Sequence, residues 1–178
     1  MVLTEDAERR PAQVDVTPAT RDDELILSNL LELYAYDFSE FQQLDLNSDG
    51  RFGYKHLPLY WSEAHRYPFL VRTDAKLAGF VFLKRGSEVS GNAMVWNMAE
   101  FFILRAYRRR GIGTDVAHQV WRRFPGAWEV RVMESNDSAY QFWERTISAF
   151  GGEPIRSVPF EKGGKRWHVF SFESKQLA

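Results

Sequence analysis

The chain contains no cysteine, which excludes disulfides, thiolate metal sites and cysteine nucleophiles and removes any need for an oxidising compartment. No run of about 18 apolar residues occurs, so no segment reads as a membrane-spanning helix. An excess of charge is missing too: 23 Lys and Arg stand against 24 Asp and Glu, so no global field draws the protein to nucleic acid or to an anionic membrane. His56, His65, His118 and His168 lack H-x-x-x-H and H-E-x-x-H spacing, so no metal is expected. There is no G-x-S-x-G elbow, and Met1 to Pro11, rich in charge, lacks the apolar stretch of a secretory signal. These absences lead us to expect a soluble, cytoplasmic protein with no nucleic-acid or membrane partner.

What is present suffices for a core. The 178 residues fit one domain, and 14 Phe, 7 Tyr and 6 Trp within a 44% hydrophobic composition can fill it. Residues 1–13 read as a polar leader and residues 14–174 as a single domain. A short strand is expected at Val14–Val16, then one helix or a broken pair across Asp22–Leu46. There Leu25, Ile26, Leu30, Leu33 and Tyr34 recur at helical spacing behind Thr20 and Asp23, a plausible cap. The stretch from Asp45 to Tyr67 is irregular and reads as a loop with one helical turn. Strands follow at Pro68–Thr73, Leu77–Leu83 and Val95–Leu104, a helix at Gly113–Phe124 and a strand at Trp128–Met133. A helix at Asn136–Ala149 then ends at Gly151 and Gly152, before strands at Ile155–Phe160 and Arg166–Phe172.

Within the irregular stretch, Asp45, Asn47, Asp49 and Gly50 imitate the start of a calcium-binding loop. His56 stands where that loop needs its bidentate glutamate, Gly53 supplies no ligand, and Pro58 interrupts the helix that should follow. An Asx/Gly turn is the expectation.

The segment with chemistry is Arg105–Thr114, R-A-Y-R-R-R-G-I-G-T, between a strand and an amphipathic helix. Gly111 and Gly113 let an anion approach the backbone, and the helix that follows offers unpaired N–H groups and a positive dipole end. Arg105, Arg108, Arg109 and Arg110 add charge suited to a diphosphate. No Gly-Lys-Ser/Thr follows, and Val116 occupies the third glycine position of G-x-G-x-x-G, so neither a Walker loop nor a dinucleotide fingerprint fits.

Arg108, Gly111 and Gly113 match R/Q-x-x-G-x-G/A, and Asn136, Ala139, Phe142 and Trp143 match most of N-x-x-A-x-x-F-Y. On these motifs, in this order of elements, the chain resembles the GNAT superfamily of N-acetyltransferases. The resemblance implies an α/β (α+β mixed) single domain with a mixed, mostly antiparallel sheet of about six or seven strands and about four helices. That sheet would splay into a V between its fourth and fifth strands, near Glu100–Leu104 and Trp128–Met133. It implies acetyl-CoA as cosubstrate, no metal, and direct transfer of the acetyl group to a primary amine. The cosubstrate would lie on Phe102, Ile103 and Leu104, on the loop Arg108, Arg109, Arg110, Gly111, Ile112, Gly113 and Thr114, and on Asn136 and Trp143.

In that frame Glu100 is the expected base and a backbone N–H near Ile103 the donor to the developing oxyanion. The family's acidic tyrosine is replaced by Trp143, whose indole N–H donates but is no acid near neutral pH, and Tyr140 is a candidate substitute. Acceptor contacts are expected from Tyr34, Asp37, Phe38 and Trp61, with Trp96 in the strand before Glu100. Aromatics mixed with carboxylates suit a small cationic or aminoglycoside-like amine, with a peptide amine as the other possibility. A homodimer through C-terminal strand edges is also open.

Each assignment has a purely structural counterpart: a solvated basic turn for Arg108–Arg110, an ion pair for Glu100, core packing for Trp143 and a helix cap for Asn136. Two other functions share the same loop. A non-catalytic CoA-binding regulatory module would bind without turnover, and a nucleic-acid-binding domain would use Arg105–Arg110 with Arg122 and Arg123.

Overall fold

A computed structural model describes residues 12–175. The leader assigned to residues 1–13 therefore lies, but for its last two residues, outside the described part. The elements are β1 (Val14–Pro18), α1 (Glu24–Phe38), α2 (Leu59–Ser62), β2 (Arg66–Thr73), β3 (Lys76–Arg85), β4 (Trp96–Ile103), α3 (Ile112–Arg123), β5 (Gly126–Met133), α4 (Asp137–Gly151), β6 (Val158–Lys162) and β7 (Lys165–Ser174).

The strands form one seven-stranded sheet in the order β1-β2-β3-β4-β5-β7-β6. Among the described residues, neighbours are antiparallel except β4 and β5, which run parallel because α3 carries the chain back between them. This is the mixed α/β architecture expected from the resemblance, with four α-helices among the described residues, one of them a single turn. No helix among the described residues is long and apolar enough to cross a membrane.

Two apolar layers sandwich the sheet. Between the sheet and α3 with α4, Val81, Leu83, Met98, Ile103 and Trp128 pack with Trp121 of α3. Beneath α1 and α2 lie Leu27, Leu31, Tyr60, Phe80, Phe82 and Phe102. Central β3 is buried on both faces from Ala78 to Leu83, and burying each large side chain contributes roughly 1.5–3 kcal/mol. Gly79 shows how tightly β3 meets β4: a Cβ there would lie 2.0 Å from the Phe102 carbonyl oxygen.

Two elements differ from expectation. α1 buries Leu27, Leu30 and Leu31, whereas Leu25 and Leu33 are exposed. Apolar residues almost encircle this helix, so spacing alone did not select the core face. α1 also stops at Phe38, where the Ser39 hydroxyl donates to the Tyr36 carbonyl at 2.6 Å and turns follow. β6 starts at Val158 rather than Ile155, because the Ile155 N–H is taken by the Ser148 hydroxyl at the end of α4. The Thr20 cap forms as expected, with Asp23 accepting from the Thr20 N–H at 2.9 Å. The imitation calcium loop is an Asx turn: Asn47 Oδ1 accepts from the N–H groups of Asp49 and Arg51.

Candidate active site

β4 and β5 pair only at Trp96↔Trp128 and Asn97↔Glu129. Beyond that point β4 stays with β3 and β5 stays with β7, so the sheet opens into a V. Trp96 stacks on Trp128 at 5.9 Å between ring centres and closes the apex. Trp96 is thus a core residue at the root of the V and does not line the slot, and Trp61 packs in α2 against the α1-side core. The slot encloses about 1330 Å3 and is lined by Tyr34, Asp37 and Phe38 of α1, by Met98–Ile103 and by Val130–Met133.

At one end lies the loop that opens α3. Arg109 and Gly111 both have positive φ, 60° and 78°. Glycine takes this conformation without strain, and the turn it makes sets the direction in which α3 starts. The Asp115 N–H bonds back to the Gly111 carbonyl at 3.0 Å, so the N–H groups of Ile112, Gly113 and Thr114 precede the first helical donor and are left over. A Cβ on Gly113 would come within 3.2 Å of the Phe142 ring, so this glycine lets α3 pack against α4.

The arginines divide the work. Arg108 Nε donates to the Ile103 carbonyl at 2.6 Å, and its guanidinium pairs with Asp37, which also accepts from Arg105 at 2.7 Å. Burial would raise the Asp37 pKa, but the hydrogen bonds from Arg108 and Arg105 outweigh it and hold the carboxyl below its ordinary range. Arg109 lines the slot, whereas Arg110 is exposed beside it and Ile112 is buried under α3. Thr114 and Thr146 share a hydroxyl hydrogen bond of 3.0 Å. Asn136 lines the slot and caps α4, its Oδ1 accepting from the Ala139 N–H at 3.0 Å.

The backbone of β4 presents its free side to the slot. The Leu104 N–H bonds to the Ala78 carbonyl, and Phe102 and Phe80 are paired in the same antiparallel ladder. Alternation then turns the Phe102 and Leu104 backbone groups toward β3, and those of Phe101 and Ile103 toward the space β5 has vacated.

A bulge aims the carboxylate. Phe82 pairs with Glu100 and Leu83 with Met98, leaving Ala99 without a partner. The extra residue reverses the alternation, so Met98 joins the α3 and α4 layer while Glu100 faces α1. There Tyr34 donates to Glu100 Oε2 at 2.6 Å and Tyr54 to Oε1 at 2.8 Å. Burial raises the Glu100 pKa above its ordinary value, and the two phenol hydrogen bonds temper that rise. Burial and the neighbouring carboxylate push both tyrosines well above theirs, so they remain donors.

Tyr54 and the residue that places it were not among the expected site residues. Glu32 of α1 accepts from the N–H groups of Phe52 at 2.8 Å and Gly53 at 3.1 Å and from Arg51 at 3.3 Å, pinning the loop two residues before Tyr54. Burial would raise the Glu32 pKa, but these three donors lower it. The loop that carries Tyr54 has no periodicity, and Glu32 reads as an ordinary polar residue of α1, so nothing local in the sequence marks either residue.

A model of the acetyltransferase (GNAT) family matches residues 28–147. The chain belongs to this family. Solved GNAT-type structures share its fold. An acetyltransferase from Thermus thermophilus has a TM-score of 0.68 at 18% identity, over 90% of this chain and 97% of that one. Arabidopsis thaliana NAA60 in complex with acetyl-CoA has a TM-score of 0.59 at 14% identity, covering 90% and 98%. Spermidine N-acetyltransferase from Vibrio cholerae, in complex with CoA and spermine, has a TM-score of 0.60 at 15% identity, covering 91% and 96%. No curated protein sequence matches the chain.

This GNAT acetyltransferase departs from expectation at α4. Tyr140 turns away from the slot: its hydroxyl lies 3.4 Å from Glu144 and from Ser157, and its ring packs edge-on against His168. Three positions further, slightly less than one helical turn, Trp143 does line the slot and packs against Phe101 at 4.9 Å. On a helix whose tyrosine and tryptophan are both apolar-faced, spacing alone did not separate them.

Proposed function

We propose that the protein transfers an acetyl group directly from acetyl-CoA to a primary amine, with Glu100 as the base. The observation that carries the reading is the end of β4–β5 pairing at Asn97↔Glu129, which opens a slot with an anion-binding helix start at one end and Glu100 inside it. The neighbours solved with acetyl-CoA and with CoA support the choice of donor.

The donor's diphosphate suits the leftover N–H groups at the start of α3 and the charge of Arg109, with Gly111 leaving the approach clear. Its pantetheine amides find the backbone groups of Phe101 and the N–H of Ile103, whose carbonyl is already taken by Arg108. Glu100 accepts a proton from the ammonium acceptor, the nitrogen forms the C–N bond at the acetyl carbon, and the C–S bond breaks. The Ile103 N–H faces the side where the oxyanion develops. We assign no proton transfer to Tyr140; a thiol of pKa about 8.5 leaves as thiolate, and the second proton that the nitrogen sheds after attack reaches it through water. A cysteine-free acetyl-CoA enzyme fits a cytoplasmic setting.

A cationic small amine was expected from aromatics mixed with carboxylates, with Tyr34, Asp37, Phe38, Trp61 and Trp96 as its contacts. Asp37 is already paired with two arginines and Trp61 lies outside the slot, so the acceptor class has to come from other side chains. The test is release of CoA thiol from acetyl-CoA across a panel of amines. Amine-dependent release that Glu100→Gln removes supports the reading, and no release with any amine by protein that binds acetyl-CoA overturns it.

A further inference from the structure

The half of the slot away from the α3 loop carries an imbalance of charge. Glu88, in the connection between β3 and β4, accepts from Arg131 Nη1 of β5 and Lys162 Nζ of β6 at 3.0 Å each, and from Lys84 Nζ of β3 at 3.5 Å. Lys165, at the start of β7, bonds the neutral Gln42 side chain at 2.8 Å. Three cations from three strands thus share one carboxylate, a fourth, Lys165, has only a neutral partner, and among the described residues no other carboxylate forms an ion pair with any of them. The hydrogen bonds from Lys162 and Arg131 outweigh burial and hold the Glu88 pKa at about 2.

This corner is built rather than loose. The Ser87 hydroxyl donates to the buried Glu129 carboxylate at 2.7 Å and accepts from the Val89 and Ser90 N–H groups, fixing the turn that carries Glu88. Arg131 lies over the Trp167 ring, which also lines the slot. Val130 and Val132 point into the α3-side core, so Arg131 between them faces the same side of the sheet as Glu100. Its charge reaches the Glu100 carboxylate and favours the ionised form.

A bridge that only tied strands together would need one cation per carboxylate. The part of the surplus on Lys84, Arg131 and Lys165 lines the cavity that the acceptor must enter. It repels a polyamine and attracts an anion, and it eases loss of the proton from an ammonium held nearby. We propose that the acceptor is a small amine that also carries a carboxylate, held by Arg131 and Lys84 while its amine faces Glu100. The inference rests on the acetyl-transfer reading above. Glu88 serves as the internal anion of the empty corner and competes with the incoming carboxylate, so its removal strengthens binding while removal of Arg131 weakens it.

The test is calorimetric titration of the CoA-saturated protein with N-acetyl amino acids, which are products under this reading, with the matching N-acetyl amino acid amides, and with N-acetylspermidine. The acid forms should bind at least about tenfold tighter than the amides, as for one charge-assisted hydrogen bond lost. Arg131→Met should abolish that preference, Lys84→Met should reduce it, and Glu88→Gln should raise acid affinity severalfold; thermal melts identify any variant that fails to fold. Amides or N-acetylspermidine binding as well as the acids, or no acid binding while acetyl-CoA binds, overturns the inference and leaves the donor site standing. Failure of acetyl-CoA itself to bind overturns the acetyl-transfer reading instead.

Discussion

The Tyr54 hydroxyl reaches Glu100 Oε1 at 2.8 Å from a loop that α1 holds in place through Glu32. The proposed base, Glu100, is therefore set by three segments: a bulged strand, the helix that supplies Tyr34, and the loop that supplies Tyr54. Both phenols donate to the ionised carboxylate, so removing either leaves the protonated form more favoured. Tyr54→Phe and Tyr34→Phe should each move the acid limb of the kcat/KM profile up by roughly one pH unit, the worth of one hydrogen bond. Glu32→Gln should move it in the same direction by less. An unmoved limb in both phenylalanine variants would show that the phenols do not tune the base.

Glu100→Gln should lower kcat by about 10^2 to 10^4-fold, the usual contribution of a general base, without changing acetyl-CoA affinity. Its effect on stability has the opposite sign. Because burial raises the folded pKa of Glu100, the folded state favours the protonated form, a stabilisation present at acid pH and lost as pH rises through that folded pKa. The neutral variant should therefore melt higher than the wild type at pH 8 and close to it at pH 4. A lower melting temperature at pH 8 would contradict the assigned shift.

Tyr140→Phe should leave kcat within about twofold of the wild type, since the hydroxyl faces Glu144 and Ser157 rather than the slot. A loss of a hundredfold or more would restore Tyr140 as the acid.

Glu88→Gln should destabilise the fold by about 1 kcal/mol at pH 7, because partly exposed ion pairs are screened by solvent. With a folded pKa of about 2 against an ordinary 4.5, the stabilisation is present above pH 4.5 and fades as pH falls toward 2. Melting curves of the two proteins should converge from pH 5 downward; a constant gap between pH 7 and pH 3 would contradict the charge cluster.

The order of elements was legible because strands and helices differ in period, and because glycine leaves marks where the backbone must turn or approach. Gly111 and Gly113 announced the α3 loop, and Gly151 and Gly152 the end of α4. The splay itself came from the family resemblance, since no residue encodes the end of a ladder. The bulge at Ala99, the pairing of Asp37 with two arginines and the placement of Tyr54 depend on segments distant in sequence and carry no local signal. Tyr140 was expected to share the slot-facing part of α4 with Trp143, because residues three apart are neighbours on a helix, but the roughly 60° between them in projection turns Tyr140 to Glu144 and Ser157.

The central claim is that the turn opening α3 holds the diphosphate of acetyl-CoA, and it is tested most directly at Gly111. Asn and Asp have similar size and similar tolerance of the positive φ found there, so the two variants differ chiefly in charge. Calorimetric titration of acetyl-CoA should show saturable binding to the wild type, modest weakening in Gly111→Asn and loss of at least about tenfold more affinity in Gly111→Asp. Equal affinity in the Asn and Asp variants would contradict the claim, placing the phosphates away from this turn.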